Sequence, residues 1–187
     1  MVVFKKRLHC TMAARILAAI VSIVCDYSPA LAQDAEAWRC TTDYGTRSAN
    51  AISVSRQSSV LSGRILVHSG VVGEQWEPGA HIAFTDSRNP AENGCFCNGI
   101  RAEIYSNEPD IVKFFIIYNG RSAGIAQASV GIPITFHLAI DGKGIMTVSI
   151  GKTHPVSKSV QLMHPQHDRV FMDCSSSDVS FLNLRSG

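Results

Sequence analysis

Charge is scarce in this chain. Of its 187 residues 17% are Asp, Glu, Lys or Arg, 7% are aromatic and 45% are hydrophobic. So apolar and weakly charged a composition excludes a disordered chain, which needs the reverse balance. A Walker phosphate loop and a dinucleotide fingerprint are missing, so the usual nucleotide-binding signatures are absent. There is no internal repeat, no low-complexity tract and no charge run, and beyond residue 32 no twelve-residue stretch keeps an uninterrupted apolar 3.6-residue period. Helical bundles and solenoids fall with that pattern.

The longest apolar run is short and sits near the N-terminus. Lys5, Lys6, Arg7 and Arg15 precede ILAAIVSIVC at residues 16–25, and Ala30-Leu31-Ala32 precedes Gln33. A positive flank, about ten apolar residues and small residues at the −3 and −1 positions predict a secretory signal peptide over residues 1–32. The run is too short for a bilayer-spanning helix, which needs roughly 20 apolar residues. Cleavage after Ala32 leaves residues 33–187 as one domain. Of the 17 Lys+Arg and 15 Asp+Glu, 13 and 14 remain, and the net charge moves from +2 to −1. The basic balance belongs to the export signal, which removes the case for a nucleic-acid partner. The expected location is the periplasm or the exterior.

Of the six cysteines, Cys10 and Cys25 leave with the signal, and Cys40, Cys95, Cys97 and Cys174 remain in an oxidising compartment. Two disulfides are expected, with three connectivities available. A ring closed across Phe96 alone would strain the bond, so the expectation is that Cys95 and Cys97 each pair outward, one to Cys40 and one to Cys174.

What is present is two-residue alternation. Residues 64–69, 80–86, 100–105, 111–119, 134–141, 145–150, 170–173 and 179–184 are short β-branched or aromatic runs, separated by turn chemistry such as Asn119-Gly120 and Asp141-Gly142. Eight or nine strands in one domain predict an all-β, two-sheet antiparallel β-sandwich of jelly-roll type. Residues 134–150 read as a hairpin with one greasy face, and residues 111–119, apolar on both faces, as a central strand.

The succession Thr135-Phe136-His137-Leu138-Ala139-Ile140, a tight Asp-Gly turn, Ile150-Gly151-Lys152, a Pro/Ser loop, Arg169-Val170-Phe171-Met172 and residues 178–184 resembles the last strands of the concanavalin A-like lectin/glucanase jelly-roll superfamily. The resemblance covers roughly residues 100–184. It implies a two-sheet sandwich with a concave sugar-binding face. The relatives' catalytic patterns do not carry over: the matching strand offers Arg101, Glu103 and Tyr105 with a single carboxylate, where retaining glucanases use two. Arg101-Ala102-Glu103 is also similar to the Arg-x-Glu strand of alginate-type lyases, but the companion Gln-x-His strand is absent.

Alternation places Arg101, Glu103, Tyr105 and His137 in one outward polar row, with His81 on a further strand out of phase with Ile82 and Phe84, and Trp76 in a loop. These are the planar hydrogen-bonding and aromatic groups that sugar recognition uses. The bland alternative is a solvated sheet face. Three functions follow: an exported non-enzymatic binder of a glycan or envelope component, an atypical polysaccharide lyase or glycoside hydrolase, and a structural or partner-binding envelope protein. His154, His164 and His167 read as a solvated His-rich loop rather than a metal site. No cofactor is called for: Asp86, Asn89, Glu92 and Asp141 are calcium-type oxygen donors without a complete ligand set.

Overall fold

The structure, a computed structural model, describes residues 36–54, 60–73, 77–86 and 98–187. Residues 1–32, Trp76, Asn89, Glu92, Cys95 and Cys97 therefore lie outside the described residues. Among those described there is no helix. Twelve strands form two six-stranded antiparallel sheets. Sheet A runs β1 (Glu36–Thr41), β12 (Ser177–Ser186), β3 (Val60–Gly70), β8 (Ile134–Ile140), β9 (Ile145–Ile150), β10 (Val156–Gln161). Sheet B runs β2 (Arg47–Ser53), β11 (Arg169–Ser175), β4 (Gly79–Thr85), β5 (Asn98–Tyr105), β6 (Glu108–Tyr118), β7 (Arg121–Ser129). This is the all-β sandwich that the alternation predicts.

Every alternating run expected from sequence is a strand, and each of them lies inside a sheet. The four strands without such a run, β1, β2, β7 and β10, are the four sheet edges. An interior strand has a neighbour on both sides and one face on the core, so its sequence must alternate. An edge strand such as β2, RSANAIS, buries no side chain fully and carries a much weaker signal.

The core lies between the sheets. Sheet A contributes Leu61, Ile65, Phe136, Leu138, Met146, Val148, Val179 and Phe181, and sheet B Ile82, Phe84, Ile100, Ile104, Val112, Phe114, Ile116 and Met172. Fully burying an aliphatic or aromatic side chain stabilises by roughly 1.5–3 kcal/mol. The 134–150 hairpin forms as expected: Asp141 Oδ1 accepts from the amides of Lys143 and Ile145, both at 2.8 Å, and Gly144 takes φ +75° to close the turn. Asn119 and Gly120, both at positive φ, turn β6 into β7.

One expectation is corrected. Cys40 bonds to Cys174, with Cα atoms 6.1 Å apart, so neither pairs with Cys95 or Cys97. Sequence spacing cannot anticipate this, because the pairing depends on β1 of sheet A facing β11 of sheet B across the core. The bond staples one sheet to the other and closes a loop of 134 residues. By the chain-entropy model such a loop is worth roughly 4–5 kcal/mol.

Candidate functional site

On sheet B the even-numbered residues of β4, β5, β6 and β11 fill the core, so the odd-numbered ones face outward. Cross-strand register then fixes the outer neighbours. One row runs Ala49, Asp173, His81, Arg101, Phe115, Gly124, and the next runs Arg47, Ser175, Gly79, Glu103, Lys113, Gln127.

Arg101, Glu103 and Tyr105 come together on this face. Arg101 Nε lies 2.9 Å from Glu103 Oε1, off the line of a hydrogen bond, and the Tyr105 hydroxyl donates to Glu103 Oε2 at 2.8 Å. The Arg101 guanidinium covers the Phe115 ring at 5.2 Å, and Lys113 covers Tyr105 at 4.8 Å while pairing with Glu108. The Tyr105 phenol is pushed up to about 12, first by burial, then by its hydrogen bond to Glu103 and the charges of Glu103 and Glu77. Ile104 N donates to Pro78 O at 2.9 Å, which extends the β4–β5 ladder past Gly79 and sets Glu77 beside Tyr105. Partial burial, and then Glu103, hold the Glu77 carboxyl above its usual value, with Arg101 and Lys113 acting the other way.

His137 is not there. It is exposed on the outer face of sheet A, between Ser62 and Ser149, with the whole core between it and Arg101. Periodicity assigns a side chain to inside or outside, but it is silent on which of two sheets supplies the outside. His81 takes the place instead, directly across from Arg101.

Sequence reasoning missed the partner of His81. Asp173 is 1% exposed, and its carboxylate receives His81 Nδ1 at 2.5 Å and the Arg47 guanidinium. The signal was one carboxylate on an outward position of an otherwise apolar strand, Val170-Phe171-Met172-Asp173-Cys174. Also unread was Gly120-Arg121-Ser122-Ala123-Gly124, which matches the hydrolase motif G-x-S-x-G. It spans a turn and edge strand β7 rather than a strand-to-helix elbow, and the Ser122 hydroxyl accepts from Arg101 at 3.4 Å.

The His-rich loop also needs correcting. His167 is buried, its ring 4.2 Å from that of Phe84 and its Nδ1 donating to the Pro165 carbonyl at 3.0 Å. It is a packing residue. Trp38 stacks on Phe181, the ring centroids 5.6 Å apart. A cavity of 340 Å³ at the opposite end of β4 and β5, lined by Phe84, Asn98, Met163, His164 and Pro165, contains none of the expected site residues.

No family model and no curated protein matches the sequence. Solved structures match in fold. Scytalido-glutamic peptidase, seen with a transition-state analogue inhibitor, aligns at 12% identity with a TM-score of 0.54, over 75% of this chain and 79% of its own. A sialidase aligns at 10% identity and 0.54, over 80% of this chain and 15% of its own. The carbohydrate-binding module CBM66 of Bacillus subtilis aligns at 13% and 0.42, over 79% and 84%. The likeness is one of architecture: the chain is a jelly-roll sandwich of two antiparallel sheets, as its resemblance to the concanavalin A-like superfamily implies.

Proposed function

We propose that the protein is exported and binds a glycan or a comparable cell-envelope component on the outer face of sheet B. The observation that carries this reading is the meeting of Arg101, Glu103, Tyr105, Lys113 and His81 on one sheet face. The cations there already have carboxylate partners: Arg47 with Asp173, Arg101 with Glu103, Lys113 with Glu108. Such a face offers directed donors and acceptors without a surplus of charge, which suits the hydroxyls of a neutral sugar better than an anionic polymer. A disulfide is in keeping with an oxidising compartment. A uronate-cleaving site built on His137 does not assemble, since that histidine lies on the other sheet.

The test is a glycan array followed by titration calorimetry. Arg101→Ala with Glu103→Gln should weaken the captured glycan at least tenfold, while His137→Ala leaves its affinity unchanged. Equal binding by the double variant, with folding intact, rejects this face. Edman sequencing of the exported protein should begin at Gln33.

A further inference from the structure

The Asp173 carboxylate can only accept hydrogen bonds, so the nitrogen that meets it at 2.5 Å, His81 Nδ1, carries the proton. In the neutral imidazole of that tautomer the other ring nitrogen, Nε2, holds the lone pair. The imidazole is fixed through Nδ1, and its side chain is 29% exposed on the outer face. Asp173 is anchored in turn by Arg47 and by the disulfide at the adjacent Cys174. This is the arrangement in which a buried carboxylate orients a histidine and stabilises its protonated form during proton transfer.

Register fixes the neighbours of His81 on the outer face. Next along β4, Gly79 bears no side chain, and even a methyl group there would come within 2.7 Å of Ala102 O. The glycine is therefore required by the close approach of β5, and Ser175 and Glu103 stand across from it on either side. Arg101 stands directly opposite His81 in register, with its guanidinium turned the other way, over Phe115 of β6 and toward the Ser122 hydroxyl of β7.

We propose that His81 is a general base and acid that hydrolyses an ester on the bound sugar, an O-acyl group being the substrate class. His81 Nε2 takes a proton from water as the water oxygen bonds to the acyl carbon, and the carbonyl electron pair moves onto its oxygen. When that pair returns, the acyl carbon–oxygen bond to the sugar breaks, and the proton on His81 passes to the departing sugar oxygen. Water and ester are consumed, and one carboxylic acid and one sugar hydroxyl are formed. No other reactant is needed. Asp173 is a positioning residue.

This inference rests on the sugar-binding reading, and the experiment separates the two. Acetate release from acetylated xylan and from p-nitrophenyl acetate is measured for the natural chain and for His81→Asn, whose amide can still donate to Asp173 but has no second nitrogen. The expected result is release by the natural chain and a loss of more than about 100-fold in His81→Asn, the usual weight of a general base, with thermal unfolding unchanged. A natural chain that retains glycans but releases no acetate overturns the esterase and leaves binding standing. Release without glycan retention does the reverse. Equal release by His81→Asn also overturns the assignment.

Discussion

Asp173 and His81 face each other from paired positions on β11 and β4, joined at 2.5 Å, with Arg47 closing on the same carboxylate from edge strand β2. One nearly inaccessible carboxylate thus links three adjacent strands on the face proposed to bind ligand. Asp173→Ala leaves both donors unpaired, and because Arg47 and His81 are partly exposed, water replaces some of what is lost. The expected cost is about 1–3 kcal/mol in urea unfolding, with the β2 amides losing hydrogen-exchange protection first. Equal protection of β2 in the variant would show that the edge strand does not depend on this contact.

The disulfide prediction concerns connectivity and stability together. Peptide mapping without reduction should recover Cys40 joined to Cys174. Replacing both by serine should lower stability by about 2–5 kcal/mol, and a Cys40 peptide linked to Cys95 or Cys97 would contradict the pairing.

Tyr105 should ionise late. A difference titration at 295 nm between the natural chain and Tyr105→Phe should show a phenol ionising at about 12 rather than 10. The folded state keeps a proton that the unfolded chain releases, so this group's contribution to stability falls as pH rises through the 10 to 12 window. Glu103→Gln removes the charged acceptor and should move the titration down.

On sheet A, Asp178 accepts from Arg39 at 3.0 and 2.7 Å and from Thr41 at 3.1 Å, and Arg39 above all holds its carboxyl below the usual value. A depressed folded value means a contribution present above the unfolded pKa and lost as pH falls through the folded one. Since the Arg39 side chain is half exposed, the pair is worth less than about 1 kcal/mol. Asp178→Asn should lower stability at pH 7 by up to that amount and flatten the acid limb below about pH 4, where the two chains converge. An unaltered acid limb would remove Asp178 from the account.

Legibility in the sequence followed burial. Phe136, Leu138 and Ile140 alternate because their strand is covered on one face and paired on both sides. Ser157 and Ser159 on β10 need only reach Ser149 and Thr147, at 2.7 and 2.8 Å, and leave little trace in the pattern. The same local rule brought out Arg101, Glu103 and Tyr105, which share one strand. It could not join residues from different strands: His81 to Asp173 and Cys40 to Cys174 are juxtapositions made by topology, and His137 was misplaced for the same reason.

The cross-link also bears on how the molecule is finished. Cys40 belongs to the first strand and Cys174 to the eleventh, while the last strand slots between the first and the third. A nascent chain therefore cannot close its native crosslink before Cys174 has emerged, or seal sheet A before β12 has. Any product ended before residue 174 leaves Cys40 with no native partner, so the Cys40–Cys174 crosslink reports that translation has passed β11.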